Sequence, residues 1–423
     1  MADAAANASL IRRAFDRARL ERLADWLAVA VVVSLPWSTS ATGILIVVWL
    51  VALIPTLDVA TLRAEFRSAA GGLPVLLWLF AGFGMLWADV TFAERIGGLG
   101  GFHKLLIIPL LLAQFRRSER GFLVLYGFLI SCLVLLAVSW IFYGLWHAYP
   151  GWVVVPNKLR GIPVKDYIAQ SSEFLICAFA LLAAAIDRAR IGQVATAAGL
   201  ALLAALFLAN IFYVATGRTA IVVIALLLVI LAVREFGWKG LLGAGLVGAI
   251  LLGAVWASSP LLRDRMIQTV DEMQSYRTEN AIDSTGPRLE FWKKSLSFIA
   301  QAPVIGHGTG SIAEQFRRAA GTTGAAAIRA DNPHNQVFGV AIQLGVVGAA
   351  LLIAMWVAHL ALFRGGGLIH WLGLMIVLQN IVSSLFNSHL FDFFHGWLYV
   401  FGVGVVGGMA LRTRLNARET VAT

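Results

Sequence analysis

The chain has 423 residues, of which 59% are hydrophobic and only 13% are charged, and its formal net charge is +10. About a quarter of the residues in an ordinary soluble domain are charged, and a soluble protein of this length has more surface than so few charges can cover. The composition therefore excludes a soluble enzyme, a disordered chain and a small secreted scaffold. It indicates a protein whose solvent is the lipid bilayer.

Hydrophobicity divides the chain into segments long enough to cross a membrane, since a crossing needs about 20 mostly apolar residues. The twelve predicted spans are 23–38, 42–57, 72–88, 99–115, 121–146, 168–186, 193–214, 218–233, 240–257, 336–363, 368–386 and 393–411. The fourth is the weakest, because it contains Lys104 and Pro109. The sequence thus predicts an all-α polytopic membrane protein.

The distribution of basic residues predicts the orientation, because cytoplasmic loops collect Lys and Arg. With the N-terminus in the cytoplasm, 18 of the 33 basic residues fall in cytoplasmic segments and 6 in short outer segments. The other 9 lie in one long outer loop, which the rule does not count. Both termini are therefore expected in the cytoplasm. Topology accounts for the positive charge, so no nucleic-acid partner is expected.

The spans and loops define three regions. Residues 1–257 contain the first nine spans, residues 258–335 form a long periplasmic loop, and residues 336–423 contain the last three spans. Loops of this length are usually functional or disordered. This one contains amphipathic stretches around Phe291 and Phe298, which predict folded helices packed on the outer membrane face.

Basic residues in short outer loops are informative, because topology does not favour them. Lys158, Arg160 and Lys165 lie together in the loop before the sixth predicted span. One interpretation is a solvated loop or a contact with lipid headgroups. The other is a clamp for a phosphate or diphosphate, whose oxygens match the fork of an arginine.

Arg218 lies at the outer start of the eighth predicted span. A cation at a helix N-terminus opposes the helix dipole, and free backbone N–H groups there favour an anion. The combination is reasonable if an anion binds between them. The alternatives are that Arg218 extends to the membrane interface or pairs with an acid such as Glu173.

Other polar residues near the outer face are candidates for substrate binding. Glu173 lies roughly 8 Å into the sixth predicted span, at a rise of 1.5 Å per residue. Burying a carboxylate in a membrane costs free energy, so this one is expected either to function in the site or to pair with an arginine. Gln170 precedes it in the same span, and Lys104, next to His103, extends the outer basic surface.

His334 lies at the end of the long loop, directly before the tenth predicted span. It is expected at the membrane face, where the headgroup of an outer-leaflet lipid would lie. A histidine can act as a general base near neutral pH, whereas a lone histidine is more often structural. Asn335 follows it at the mouth of the helix.

No metal or cofactor is expected. His389, Asp392 and His395 are metal ligands by type and lie near the start of the last predicted span, but their spacing matches no familiar zinc site. The glycine-rich run 306–310 lacks the Lys-Ser/Thr of a P-loop. Few ionisable residues lie deep in the spans, which disfavours an ion-coupled transporter.

One ordered set of motifs resembles the shared signature of the O-antigen ligase and polymerase superfamily. The set comprises Arg288, Trp292, Pro303, Gly306, Gly308, Gly310, His334, Asn335 and the run from Gln343 to Gly348. Arg218 after a long apolar run, the twelve-span layout and the long loop also fit. The resemblance covers most of the chain in layout and about residues 284–348 in motif.

The resemblance implies a glycosyltransferase of GT-C-like architecture in the inner membrane of a Gram-negative bacterium. Such an enzyme takes O-antigen from undecaprenyl diphosphate at the periplasmic face and joins it to lipid A–core, completing lipopolysaccharide without a metal. The essential arginines and histidine of the family fall on Arg218, Arg288 and His334, and an acidic position near the last span falls on Asp392.

The residues themselves agree with this chemistry. Arg218, Arg288, Lys158 and Arg160 are cations expected at the level of the carrier diphosphate, where they would stabilise charge on the leaving group. His334 would take the proton from the acceptor hydroxyl, and attack opposite to the diphosphate predicts inversion. The alternatives are an O-antigen polymerase, a ligase that acts on a protein acceptor, and a transporter of lipids or polysaccharides.

Overall fold

The computed structural model describes residues 16–149, 160–264, 266–268, 286–321 and 330–422. Its helices are α1 (Arg17–Ser34), α2 (Thr39–Leu53), α3 (Val59–Arg67), α4 (Ala69–Gly84), α5 (Phe92–Gly100), α6 (Ile107–Arg117), α7 (Gly121–Ala148), α8 (Tyr167–Arg190), α9 (Val194–Tyr213), α10 (Arg218–Ser258), α11 (Gly286–Gln301), α12 (Ile312–Arg318), α13 (Gln336–Leu362), α14 (Leu368–Ser384) and α15 (Phe393–Ala422). No strand occurs among the described residues. The fold is therefore all-α, as the composition predicted.

Among the described residues, seven helices are long and apolar enough to cross a membrane, or up to nine if each of two bent pairs is one span. The chain is thus a multi-pass membrane protein. Each of the twelve predicted segments falls largely on helix, but the number twelve is not confirmed. Two segments are marginal as membrane spans. The first half of α1 is rich in charged residues, and α14 has only 17 residues.

The fourth predicted span is not one straight helix. A 3-10 turn, His103–Leu106, separates α5 from α6, and the two parts are bent by 46°. Gly100 and Gly101 precede this turn and lower the helical propensity of the segment. Pro109 lies in the first turn of α6, where its missing N–H costs no hydrogen bond. The fourth predicted span is therefore a bent pair of helices, and whether it crosses the membrane stays a prediction.

Helix α10 covers the eighth and ninth predicted spans, and its regular geometry is broken at Gly237, with φ 62° and ψ −158°. The ends of this element lie close together. Tyr213, just before its start, is hydrogen-bonded to Ser258 at its end (Oη to Oγ, 2.6 Å), and Ser259 Oγ donates to the Phe212 carbonyl (2.9 Å). The chain therefore reverses near Gly237, which supports two spans rather than one.

The described part of the loop before α13 contains the helices α11 and α12. Phe291 and Phe298 of α11 pack with Phe316 of α12 and Ile342 of α13 in a small hydrophobic core, separate from the large core among the remaining helices. The predicted amphipathic helices are thus present. Their position outside the membrane on the periplasmic side stays a prediction.

The same loop also fills a break in α13 at Gly345, where φ is 62°. A break frees the carbonyls of residues 342 and 343 and the N–H groups of residues 346 and 347, which would otherwise bond to each other. The segment 303–308 satisfies all four: His307 and Gly308 donate to the carbonyls of residues 342 and 343, and residues 346 and 347 donate to the carbonyls of residues 303 and 304, at 2.8–3.3 Å. The break is thus buried in protein, as a membrane span requires.

Candidate active site

Arg218 and Arg288 line the same cavity, of about 110 Å³. Arg218 is the first residue of α10 and Arg288 lies in the first turn of α11, so the cavity is formed where the membrane helices meet the folded loop. The polar part of its lining is completed by Tyr167, Ser171, Ser172, Thr219, Gln379 and Ser383. The structure therefore brings together the two arginines that the sequence singled out.

The N-terminus of α10 forms one wall of this cavity. Gly217 is its N-cap and makes no side-chain capping bond, and Gly217, Thr219 and Ala220 all line the space. A Cβ at Gly217 would lie 2.7 Å from Ser171 Oγ, so a larger residue would push into α8. First-turn N–H groups have no intrahelical partner. Together with two guanidinium groups, they make this cavity suited to an anion.

His334 is half-buried directly before α13, and its ring is held on two sides. The ring lies parallel to that of Phe291, with centroids 6.1 Å apart. Its Nδ1 is 3.0 Å from Asn387 Oδ1. Its backbone has a positive φ of 52°, which is uncommon for a residue other than glycine, and its N–H donates to Asn332 Oδ1 at 2.8 Å.

Electrostatics link His334 to the arginine cavity. The pKa of His334 is lowered from its ordinary value of 6.5, first by burial and then by the positive charge of Arg288. Asn387 and the carboxylates of Asp392 and Asp331 act in the opposite direction, but they do not prevail. The ring is therefore neutral at physiological pH, which is the state that a general base needs.

His389, Asp392 and His395 converge beside this site, with ligand-type atoms within 4.8 Å of one another. The two imidazole rings stack in parallel with centroids 3.8 Å apart. Burial, followed by His395, Arg288 and His334, lowers the pKa of His389 to about 2. His389 is therefore a neutral ring that stacks on His395 beside Asp392.

Lys104 is buried and holds the loop that carries Asp392. Its Nζ donates to the carbonyls of Phe391 (3.0 Å) and Asp392 (2.6 Å). The Asp392 carboxylate accepts from Asn387 Nδ2 at 3.3 Å and lies 3.5 Å from His395 Nδ1. A direct contact of Lys104 with substrate, as the sequence suggested, stays a prediction, and the geometry favours a supporting role.

Gln170 and Glu173 are buried in α8 and do not line the arginine cavity. Gln170 Nε2 donates to Asn210 Oδ1 (2.9 Å) and Ser139 Oγ (3.0 Å), which joins α8 to α7 and α9. Glu173 Oε2 has no hydrogen-bond partner among the described residues. Their predicted roles in substrate binding are untested.

Arg160 and Asn335 do not line this cavity. Arg160 is exposed, with its guanidinium 4.8 Å from the centre of the Trp146 ring, and Lys158 lies outside the described residues. Asn335 caps α13: its Oδ1 accepts from the Phe338 N–H, and its Nδ2 donates to the Leu385 carbonyl, both at 3.1 Å. Asn335 therefore ties His334 to the loop that follows α14.

Sequence reasoning missed the partner of His334. Asn387 lies in a polar run, Asn387 to His389, between two apolar spans. That run was the available signal, but nothing in the sequence pairs it with residue 334. The serines of α8 and α14 that line the cavity were also missed, because single serines in apolar helices are common.

The described helices and this cavity define a polytopic membrane protein with a basic polar site at one end of its helices. Residues 203–353 match the family model described as O-antigen ligase. The match contains Arg218, Arg288 and His334, and it confirms the resemblance to the O-antigen ligase and polymerase superfamily. No match was found among curated proteins. The family implies a polysaccharide and lipid-linked substrates.

Proposed function

We propose that this protein is an O-antigen ligase, which transfers O-antigen polysaccharide from undecaprenyl diphosphate to a sugar hydroxyl of lipid A–core. The observation that carries the proposal is the single cavity that Arg218 and Arg288 share, beside a neutral His334. The family match narrows the function to ligases and polymerases, and the cavity supplies the chemistry that both require.

The donor is a sugar linked to a lipid diphosphate, so its leaving group is an anion at the membrane surface. Arginine is well suited to such a group, because its planar fork makes two charge-assisted hydrogen bonds to phosphate oxygens. Arg218, Arg288 and the first turn of α10 supply fixed positive charge where negative charge builds up as the bond breaks. Interactions of this kind are usually the largest contribution to catalysis.

The acceptor hydroxyl must lose a proton as it attacks. In the proposed step, a ring nitrogen of His334 takes that proton while the hydroxyl oxygen bonds to the anomeric carbon of the donor. The bond from that carbon to the diphosphate oxygen breaks, and its electron pair leaves with the diphosphate. Attack opposite to the leaving group inverts the anomeric centre.

The proposal includes a location. The loop of residues 258–335 would lie in the periplasm of a Gram-negative bacterium, and the regions 1–257 and 336–423 would form a GT-C-like membrane body with both termini in the cytoplasm. Hydrogen bonds at the end of the bundle away from the cavity support one part of this arrangement: Arg190 bonds to Glu235 (2.8 Å) and Arg234 to Gly367 (2.6 Å). These four residues lie in segments that the charge distribution assigns to the cytoplasm.

The acceptor separates this proposal from its alternatives. Purified protein in lipid nanodiscs is supplied with labelled undecaprenyl-diphosphate O-antigen, with or without lipid A–core. Label that moves to lipid A–core only when the acceptor is present supports a ligase. Growth of the lipid-linked chain without acceptor indicates a polymerase, transfer to a supplied protein acceptor indicates a protein ligase, and movement across a bilayer without bond formation indicates a transporter.

A further inference from the structure

The side-chain amide of Asn387 has a fixed orientation. Its Oδ1 accepts from the backbone N–H of Ser388 at 2.9 Å, and its Nδ2 donates to the Asp392 carboxylate at 3.3 Å. A backbone N–H only donates and an ionised carboxylate only accepts. If the oxygen and nitrogen of this amide were exchanged, the NH₂ group would face the Ser388 N–H, which is also a donor. The oxygen would then face the Asp392 carboxylate, which is also an acceptor.

Asn332 fixes the same orientation independently. The backbone N–H of His334 donates to Asn332 Oδ1 at 2.8 Å, and so does Ser388 Oγ at 2.7 Å. The other end of the Asn332 amide must therefore be its Nδ2, which donates to Asn387 Oδ1 at 3.2 Å. Two separate backbone N–H groups thus assign an acceptor oxygen to the side of Asn387 that faces the histidine.

This oxygen decides the tautomer of His334. Asn387 Oδ1 cannot donate, so the Nδ1 atom 3.0 Å away must carry the proton. A neutral imidazole has one N–H, which leaves the lone pair on Nε2. Nε2 makes no hydrogen bond within the part of the chain that the structure describes.

We propose that Asn387 is a positioning residue that keeps the proton of His334 on Nδ1, so that Nε2 is the atom that deprotonates the acceptor hydroxyl. The inference rests on the proposed function. Asp392 acts one step further away, by holding Asn387 Nδ2, and Asn332 and Ser388 hold the oxygen. The ring of Phe291 lies nearly parallel to the imidazole, with centroids 6.1 Å apart.

The neutral amide also suits the electrostatics of the site. The charged or titratable groups around His334 are Arg288 on α11, Asp331 on its own segment, and His389 and Asp392 on the loop before α15. Arg288 opposes a proton on the ring. A carboxylate in place of the Asn387 amide would orient the ring equally well, but it would attract a proton to Nε2 and raise the pKa of the histidine.

The experiment exploits this difference. In Asn387→Asp combined with Asp392→Asn, the carboxylate and the amide exchange places. His334 Nδ1 still has a side-chain oxygen at position 387 to donate to, and the side chain at position 387 still receives a hydrogen bond from the amide at position 392. The rate of transfer at saturating substrate is measured against pH in nanodiscs, with undecaprenyl-diphosphate O-antigen and lipid A–core. We expect the exchanged variant to retain transfer at high pH and its acid limb to move to higher pH than in the wild type. An acid limb that stays in place would show that the side chain at position 387 does not contact the imidazole during the reaction.

Asn387→Ala removes the acceptor without adding charge. We expect kcat to fall at least tenfold, towards the roughly 10²–10⁴ that a positioned general base contributes, with the KM for the lipid-linked donor unchanged. Gln301→Ala removes an exposed amide of α11 as a matched control and should change neither constant. Melting temperature in detergent identifies a variant that fails to fold, and the exchanged variant, which keeps the volume of both side chains, then carries the test.

The outcomes are distinct. Wild-type kcat in Asn387→Ala, or an unshifted acid limb in the exchanged variant, would overturn the positioning role. If the wild-type protein itself transfers no glycan, the proposed function fails instead. Suppose that the wild type transfers glycan and that His334→Ala loses activity while Asn387→Ala keeps it. That result leaves the proposed function intact and refutes only this inference.

Discussion

A Cβ built on Gly345 would lie 2.3 Å from both the carbonyl carbon and the carbonyl oxygen of Val304. Real Cβ atoms do not approach backbone this closely, so only glycine permits the loop to enter the break in α13. This contact explains two parts of the family signature at once, since the run 303–310 and the run 343–348 bond to each other.

Gly345→Ala should therefore separate the loop from α13. The backbone conformation at φ 62° costs a non-glycine residue roughly 1–3 kcal/mol, and the clash with Val304 adds to that cost. We expect a clear fall in melting temperature and loss of transfer. Gly199→Ala in α9 is the control, because a Cβ there meets nothing within 4 Å; equal melting temperatures for the two variants would contradict the prediction.

The two arginines of the cavity should be needed for transfer and not for folding. Arg218→Ala and Arg288→Ala are each expected to abolish transfer while the melting temperature stays near that of the wild type. Arg218→Lys keeps the charge but loses the fork, so it should remain impaired. Transfer and binding of the lipid-linked donor are measured for each variant, with the exposed Arg63→Ala of α3 as a control. Full activity in Arg218→Ala or Arg288→Ala would disprove the proposed binding of the carrier diphosphate by these two arginines.

His334 and Glu173 are rival candidates for the base. His334→Ala should nearly eliminate transfer, because general-base catalysis is worth about 10²–10⁴ in rate, and it should leave donor binding largely intact. Glu173→Gln keeps the size of a side chain that lies outside the cavity lining, and it should retain turnover. Both variants are assayed for transfer and for donor binding. If the glutamine variant loses turnover while the alanine variant keeps it, His334 is structural.

The pH dependence follows from the lowered pKa of His334. A base whose pKa is lowered in the folded protein stays unprotonated, and active, until the pH falls through that lowered value. Burial and Arg288 place it below 6.5, so the acid limb of kcat/KM, which reports the free enzyme, should lie below pH 6.5. The profile is measured at substrate concentrations well below KM. An acid limb above pH 7 would show that His334 is charged in the resting enzyme or is not the base.

Topology can be tested by labelling single cysteines. Cys132 and Cys177 are both buried, and they are replaced first so that they cannot react. Ala320→Cys, after α12, should react with a membrane-impermeant maleimide added from the periplasm. Arg63→Cys, exposed on α3, should react only after the inner membrane is opened. Labelling of residue 320 only from the cytoplasmic side would reverse the proposed orientation.

Several features of the site were accessible to sequence reasoning because their signals are local. Arg218 stands at the start of an apolar run, and His334 immediately precedes one, so each could be placed at a membrane face from hydropathy alone. The amphipathic pattern around Phe291 predicted helices in the loop, and α11 and α12 are present. Arg288 was identified through the resemblance, not through any local pattern.

Other features depend on contacts between distant residues. Lys104 belongs to a surplus of outer cations in the sequence, yet in the structure its ammonium is buried against two backbone carbonyls. Gln170 looked available to a substrate, but it bridges three helices. A polar residue at the end of a span can face water, a ligand or a neighbouring helix, and the sequence period of one helix does not distinguish these surroundings.

The sequence by itself determined that the chain is an all-α membrane protein, because burial in a bilayer requires long apolar segments whose backbone groups bond within each helix. The tertiary structure decided which ends of those helices meet. It alone placed Arg288 opposite Arg218, Asn387 against His334, and Val304 in the break at Gly345. The reason is physical: hydropathy is a property of one segment, whereas a cavity, a tautomer and a steric contact are properties of side chains and backbone brought together by packing.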